Sequence, residues 1–573
     1  MLKEIEFVGP NRIGFFKKLW ASNELSLAKC LNLEHDVEAG AIYAELDITR
    51  KKSVIEFCKV CFSSLMERKE NEMFRNRLLD ELDRRYQNIY DDFYSRILTP
   101  GAPYAESFYY HQRESLAESA YKLYNLFAFE QGLGKTITAA TVSRIWKIRR
   151  TIIVCPALVK WNWFRDLTDQ SKPWTFNDMY FSILDPTKSR CLYAFQERFV
   201  IINFENIEKY MSYLTKSDVG HIIVDECHNI KNHNTAKYKN VAKLVAAFPQ
   251  ARVSLLTGTP VKNRVNDVFA YFKLTHHPLG KNYTEFMKDY TEVETSKGGR
   301  QKIKGARNLD DLHVKMSNFM IRHIKAECLD LPDKIYMKYR FELDDYKEEY
   351  EKVIKEIAEK KNVANLNSNL HTLNIVMTKA KIPGIIEIAN SILDNEEKVI
   401  IFSSYKEPLS MLEKHFGSSC VKIDGSVPAH TRDTLIQRFI NDPNCTVFLA
   451  NYIAGGVGIN LVNACNVITA NNPFTPAEID QAVDRAHRIG QTKSVNIHMP
   501  ICEKSVDEYL TDMVAGKARD TNALIDRDHA GAVDYSNIPE MLYKHILENY
   551  KSNAVEASTD ELPLEQVTFK SVN

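Results

Sequence analysis

The chain has 573 residues, of which 44% are hydrophobic and 26% charged, with 75 Lys plus Arg against 75 Asp plus Glu. That is an ordinary globular composition, and the length alone suggests about three to four domains. A formal net charge of zero excludes a molecule-wide field for nucleic acid or an anionic membrane, so any such binding has to come from a local basic groove.

Residues 1–98 read as a small accessory region. "EIEFVG" and "AIYAELDI" have the look of strands, while "SVIEFCKVCFSSLMER" and "NEMFRNRLLDELDRRYQNIYDDFYSRIL" have helical apolar spacing. No apolar run approaches a membrane span, and the first residues lack a signal-peptide core. Eleven scattered cysteines suit a reducing cytosol. With no dense Lys/Arg import signal, a cytoplasmic protein of a prokaryotic or virus-infected cell is expected, with no membrane partner and as a monomer. Cys58, Cys61, Cys30 and His35 are weighed as zinc ligands and rejected, because Cys58 and Cys61 lie on an apolar helical stripe that suits a core.

After the linker "TPGAPYAES" the rhythm changes. The short apolar runs "YNLFAF", "TIIVC", "FVIINF", "HIIVDE" and "RVSLLTG" alternate with helical stretches, as buried parallel strands do when crossover helices cover both faces. Residues 268–337 read as mostly helical, interrupted by a basic loop, and 341–395 as helical. The rhythm resumes with "KVIIFS", "CVKID", "TVFLAN", "NVITAN" and "SVNIHM". The fold class is therefore α/β with two parallel-sheet domains. The expected organisation is a first lobe over 99–337, a helical insertion and second lobe over 338–515, and a C-terminal helix with a polar, disordered tail over 516–573.

"FAFEQGLGKT" carries Gly132, Leu133, Gly134, Lys135 and Thr136 between a strand and a helix, the context in which backbone N–H groups hold phosphate. Phe129 stands where the full P-loop pattern has its first glycine. Lys135 is placed on the β- and γ-phosphates and Thr136 on Mg²⁺. "HIIVDECHN" ends a strand in Asp225 and Glu226; Asp225 is placed on Mg²⁺ through water and Glu226 on the attacking water. Both motifs then reach the ligand-binding edge of one sheet.

With these in place, "LLTGTPVKNRVNDVF" (255–269), "YIAGGVGINL" (452–461) and "QAVDRAHRIGQ" (481–491) resemble helicase motifs III, V and VI. Over 110–515 the chain resembles the Swi/Snf family of DNA-dependent ATPases in helicase superfamily two, as a small bacterial or phage-like member. Family members also lack the first P-loop glycine, although Phe129 departs from their usual acid. The resemblance implies two RecA-like lobes, ATP and Mg²⁺ as cofactors, and Gln112 as the adenine reader. It places Arg485 and Arg488 on the γ-phosphate across the cleft and Gln481 as a link between lobes. Thr257, Thr259, Asn263, Gly455, Gly456 and Asn460 would line the cleft, and the segment at Lys160 would touch the DNA backbone. Trp161 and Trp163 are read as anchors of a helix between layers.

The run "SKGGRQKIKGAR" supplies Lys297, Arg300, Lys302, Lys304 and Arg307 with no acid among them, a candidate phosphate-tracking loop against the plainer reading of a solvated one. The implied activity is an ATP-driven motor on DNA, mainly duplex or forked and independent of sequence. A strand-separating DNA or RNA helicase and a remodeller that displaces RNA polymerase stay open, though Gln491 and the long insertions speak against an RNA helicase. "NNPFTPAE" is closer to the fork-remodelling members than to nucleosome remodellers.

Overall fold

The structure, a computed structural model, describes residues 5–8, 12–16, 25–46 and 54–58 in part, 76–88, 107–172 apart from Tyr121, 175–176, 181–184, 198–260 apart from Ser217, 265–295, 301–359 apart from 317–318, 366–452, 459–473, 476–512, 541–548 and 550. These fall into two compact units, one up to Leu331 and one from Pro332. Length alone had suggested more.

In the first unit, strands β1 (Ile5–Phe7), β2 (Arg12–Phe16), β3 (Glu34–Asp36) and β4 (Ala41–Glu45) form an antiparallel sheet in the order β1-β2-β4-β3. Two of these, β2 and β3, are additions to the sequence reading. The sheet has its own core, with Ile13, Phe15, Ile42, Phe57, Cys58, Leu82 and Tyr86, and this core takes in Ala117 and Val314 from the main body. Those shared contacts explain why the accessory region does not separate as a unit. Cys58 is fully buried there, as the core reading expected; Cys30 and Cys61 lie outside the described residues.

The body of this unit is a sheet of β5 (Tyr124–Phe129), β6 (Thr151–Cys155), β7 (Phe181–Ile183), β8 (Phe199–Asn203), β9 (His221–Val224), β10 (Arg252–Leu256) and β13 (Met320–His323). Its order is β13-β5-β10-β9-β6-β8-β7 and every pairing is parallel. β6 and β8 are buried at every position, so the apolar runs have no polar face. All strands point the same way, and β5, β10, β9 and β6 lie side by side. The loops after them therefore open along one edge in that order.

The mostly helical reading of 268–337 needs correction. Helices span Phe269–Leu274, Tyr283–Tyr290 and Leu309–Met316, but β11 (Thr291–Thr295) and β12 (Gln301–Ala306) form an antiparallel hairpin where a loop was expected, and β13 joins the main sheet. β13 is an edge strand with Arg322 and His323 in four residues, so no apolar run marks it.

In the second unit, β14 (Lys334–Phe341), β15 (Val399–Ser403), β16 (Cys420–Ile423), β17 (Val447–Asn451), β18 (Asn466–Thr469) and β19 (Val495–Cys502) form a wholly parallel sheet in the order β14-β19-β18-β15-β17-β16. Helices Lys347–Glu359, Leu366–Ala380 and Ile382–Leu393 make the expected insertion. It is tied to the sheet by Lys381, whose Nζ donates to the Pro500 carbonyl of β19 at 3.1 Å and lies 2.7 Å from Asp507 Oδ2, with the Lys381 and Asp507 side chains 1% and 2% exposed. The helix through 541–548 packs Leu542 and Ile546 onto the same insertion. The two parallel sheets with their helices are two RecA-like lobes.

Candidate nucleotide site

The loop after β5 has two left-handed glycines, Gly132 with φ 87° and Gly134 with φ 82°. Gly134 precedes the helix Lys135–Ile145, so the first free N–H groups of that helix open onto the loop. A Cβ at Gly134 would sit 2.2 Å from Nε2 of Gln112. That amide nitrogen donates to the Leu133 carbonyl at 3.1 Å, and His111 Nε2 donates to the same carbonyl at 3.0 Å. Gln112 Oε1 accepts from the Tyr109 backbone N–H at 3.1 Å. Gln112, expected as a base reader, is hydrogen-bonded here to the loop through the Leu133 carbonyl. Leu133 is fully buried, and Thr136 half-buried.

Phe129 answers its own oddity. It closes β5 fully buried, edge-on to His323 at 5.1 Å and to Phe127 at 5.6 Å, in space that an acid would have to desolvate. The next residue, Glu130, is acidic. Glu130 Oε2 accepts from the Lys325 backbone N–H at 2.8 Å, and Oε1 lies 3.6 Å from Arg322. Lys135 Nζ donates to the carbonyls of Phe129 at 2.8 Å and Glu130 at 3.2 Å.

Asp225 and Glu226 follow β9 at the same edge. Asp225 Oδ1 accepts from the Glu226 N–H at 2.9 Å, and Oδ2 accepts from the indole N–H of Trp163 at 2.7 Å. Burial and the neighbouring Glu226 push the Asp225 carboxyl up to about 6, against the opposing pull of the Trp163 N–H and the Lys135 ammonium. Glu226 has φ 47°, a left-handed conformation that a non-glycine residue adopts at a cost, and its Oε2 lies 3.1 Å from His228 Nδ1. Thr257 follows β10, between the two motifs. It is fully buried, and its Oγ1 accepts from the Thr259 N–H at 3.1 Å. A Cβ on Gly258 would meet Gln131 Nε2 at 2.9 Å, so this turn packs against the phosphate loop.

The second unit gathers its motifs as tightly. Gln481 lies on the helix Pro476–Val483 and is half-buried. Its carbonyl accepts from Arg485 Nε at 3.1 Å, while the Arg485 carbonyl accepts from Leu461 N–H at 2.9 Å. Arg488 Nη1 donates to the Ile459 carbonyl at 3.2 Å. Motif VI is thus clamped to the end of motif V on both sides of exposed Asn460. Gln491 adds a third clamp. Its Nε2 is shared among the carbonyls of Val462, Ala464 and Ala486 at 3.1–3.2 Å, and its Oε1 accepts the N–H groups of Thr492 and Lys493 at 3.0 Å.

The expected nucleic-acid residues are less united. Lys160 opens the helix Lys160–Thr168 and is only 6% exposed. Lys302 and Lys304 lie on β12, and the register sets Lys302 opposite Glu294. Arg307 is exposed. Asn263, Lys297, Arg300, Gly455, Gly456, Phe474 and Thr475 lie outside the described residues. Trp163 is the functional neighbour whose bond to Asp225 the sequence reading missed; its place eight residues past β6, the strand beside β9, was the available signal.

The profile of the SNF2-related domain matches residues 70–388, more than half of the chain. The chain belongs to the SNF2 family, ATPases of helicase superfamily two. A profile for the helicase conserved C-terminal domain matches 383–490. Among curated proteins, the Caenorhabditis elegans SWI/SNF-related matrix-associated actin-dependent regulator of chromatin subfamily A-like protein 1 homolog is 31% identical, over 68% of this chain and 58% of that protein. The Mus musculus DNA annealing helicase and endonuclease ZRANB3 is 28% identical over 70% of this chain and 39% of its own length. An uncharacterized ATP-dependent helicase of Mycoplasma pneumoniae is 27% identical over 69% and 40%. This SNF2 chain thus spans about two to three fifths of the length of the relatives it matches. Among its described residues no helix is long and apolar enough to cross a membrane, and none group as a metal cluster of His, Cys, Asp and Glu.

Proposed function

We propose that the chain hydrolyses ATP to move along DNA, chiefly duplex or forked, as a compact bacterial or phage-type SNF2 motor acting as a monomer. The observation that carries this reading is the convergence of Lys135, Thr136, Asp225 and Glu226 at one edge of one parallel sheet, behind a loop kept open by Gly134. The residues fit ATP and Mg²⁺. Thr136 and Asp225 offer the hard oxygens that magnesium prefers, and a cation there would reverse the raised Asp225 pKa. Bound magnesium would supply charge for the β- and γ-phosphate oxygens. Lys135 would leave its two loop carbonyls for phosphate, and Glu226 would take the proton of the attacking water. Arg485 and Arg488 would neutralise charge on the transferred group.

DNA as partner rests on the family and on relatives named DNA annealing helicases. Contacts at the segment of Lys160, at Thr257, Asn263, Gly455, Gly456 and Asn460, and at the β11–β12 hairpin with Arg307, Lys297 and Arg300 would hold backbone and ignore base identity. The test pairs displacement of a third strand from a triplex with unwinding of a fork of matched length. ATP-dependent triplex displacement is expected; fork unwinding without it would replace this reading with a strand-separating helicase.

A further inference from the structure

The indole N–H of Trp163 joins two parts of the first unit that lie 62 residues apart in sequence. Trp163 sits on the helix Lys160–Thr168, which follows β6, and Asp225 follows β9. β6 and β9 are neighbours, paired Val154 to Val224, and the Asp225 backbone N–H donates to the Val154 carbonyl at 2.8 Å. The main chains at the two strand ends are therefore fixed to each other. The side chains are fixed separately, by the 2.7 Å bond from Trp163 Nε1 to Asp225 Oδ2.

Trp163 is 2% exposed and Leu167, one turn on, is fully buried, so the helix is seated on that face. Trp161 is 36% exposed on the same helix. An indole N–H donates and cannot accept, so the ring has one polar demand and the carboxylate meets it. Asp225 receives one hydrogen bond on each oxygen, from Trp163 and from the Glu226 N–H. A carboxylate has about four lone-pair positions. The two donors fix its plane and leave capacity on both oxygens for a further ligand or its water.

We propose that Trp163 is a positioning residue for Asp225, setting the carboxylate plane for the magnesium–nucleotide complex and tying it to the helix that starts at Lys160. The inference rests on the nucleotide-site reading above. A neutral donor suits this role because it orients the carboxylate without competing as a cation for its charge. Because Lys160 begins the same helix, a shift of that helix on nucleic acid would be felt at Asp225 through one bond.

Trp163→Phe keeps an aromatic ring and removes the donor. Calorimetric titration with a non-hydrolysable ATP analogue is run with Mg²⁺ and with EDTA. In the variant, the Mg²⁺-dependent gain in affinity falls by roughly tenfold, the usual weight of a hydrogen bond to a charged group, while the metal-free affinity stays. Trp161→Phe leaves both unchanged. A full Mg²⁺ gain in Trp163→Phe, or equal losses with and without metal, overturns the proposal.

Should Trp163→Phe fail to fold, the intact chain labelled with 5-fluorotryptophan replaces it, its Trp163 signal assigned by replacing the other four of its 5 tryptophans in turn. That signal shifts with analogue plus Mg²⁺ and not with analogue plus EDTA; no difference overturns the proposal. Absence of any Mg²⁺ gain in the wild type overturns both this proposal and the nucleotide-site reading. Absence of DNA-stimulated hydrolysis overturns the motor reading alone.

Discussion

Glycine is required at position 134 for two reasons that act together. Its φ of 82° costs an L side chain about 1–2 kcal/mol, and a Cβ would also collide with the amide of Gln112 at 2.2 Å. Gly134→Ala is therefore expected to weaken nucleotide binding at least tenfold and lower the thermal midpoint. The double change with Gln112→Ala should recover only the part due to collision, because the dihedral strain remains. Full recovery, read by titration calorimetry, would mean that the backbone conformation carries no cost. Other single residues divide the proposed chemistry. Lys135→Ala removes the main phosphate charge and should lose affinity for ATP. Glu226→Gln should keep affinity and lose turnover, since a carboxamide cannot take a proton. Arg488→Ala should keep most affinity and lose roughly a thousandfold in rate, as arginine fingers do. Single-turnover rates measured beside binding constants separate the three; a pure binding defect in Arg488→Ala would remove it from its assigned role.

At the scale of elements, the first sheet is pinned to its helix by a buried polar chain. His221, at the start of β9, contacts Ser143 of the helix Lys135–Ile145 at 2.6 Å through Nδ1 and Ser254 of β10 at 2.8 Å through Nε2; Thr151 of β6 donates to Ser143 at 2.9 Å. Burial, helped by Arg252, pushes the imidazole down to about 3. The unfolded chain binds this proton near pH 6.5 and the folded chain does not, so stability is full above pH 6.5 and falls as pH drops toward 3. At pH 5 the loss from His221 alone is about 2 kcal/mol. Guanidinium midpoints at pH 7 and pH 5 check this: His221→Gln should start less stable and show a flatter slope, and an unchanged slope would exclude the imidazole as the cause. His221 also marks a limit of reading from sequence. "HIIVDE" announced a strand by its apolar run, but nothing local said that its histidine would find two serines from other elements. Within the two parallel sheets, the legible strands are mostly buried apolar runs such as β6, β8, β9 and β15. β13 was missed because edge position admits Arg322 and His323, and β14 because Lys334, Lys338 and Arg340 alternate with its apolar residues. The same limit holds in the site. The placement of Lys135, Asp225 and Glu226 was legible because Lys135 opens the helix after β5 and Asp225 and Glu226 directly follow β9, whereas the contact of Trp163 with Asp225 spans 62 residues and depends on β6 and β9 being neighbours.

At the scale of the whole molecule, the proposed chemistry is divided between two units. Lys135, Thr136, Asp225 and Glu226 belong to the unit ending at Leu331, and Arg485 and Arg488 to the unit beginning at Pro332. Each set is rigid within its own unit: the first by the loop–Gln112 and Trp163 bonds, the second by the clamps of Arg485, Arg488 and Gln491 on the end of motif V. On the proposed reading, turnover would depend on how often both sets meet one γ-phosphate. ATP alone offers one partner for that meeting, while a duplex held by both units would add a row of phosphate contacts. The chain has no net charge, so these contacts have to be local, and their counterion release makes them steeply sensitive to salt. Hydrolysis is accordingly expected to rise at least tenfold with saturating duplex DNA at low salt, with little dependence on sequence, and to fall back as salt is raised while ATP affinity changes much less. Steady-state ATPase rates across a salt series, with and without DNA, measure this. A rate indifferent to saturating duplex DNA at every salt concentration would show that the two sets meet without it, and the division between the units would then have no part in coupling hydrolysis to DNA.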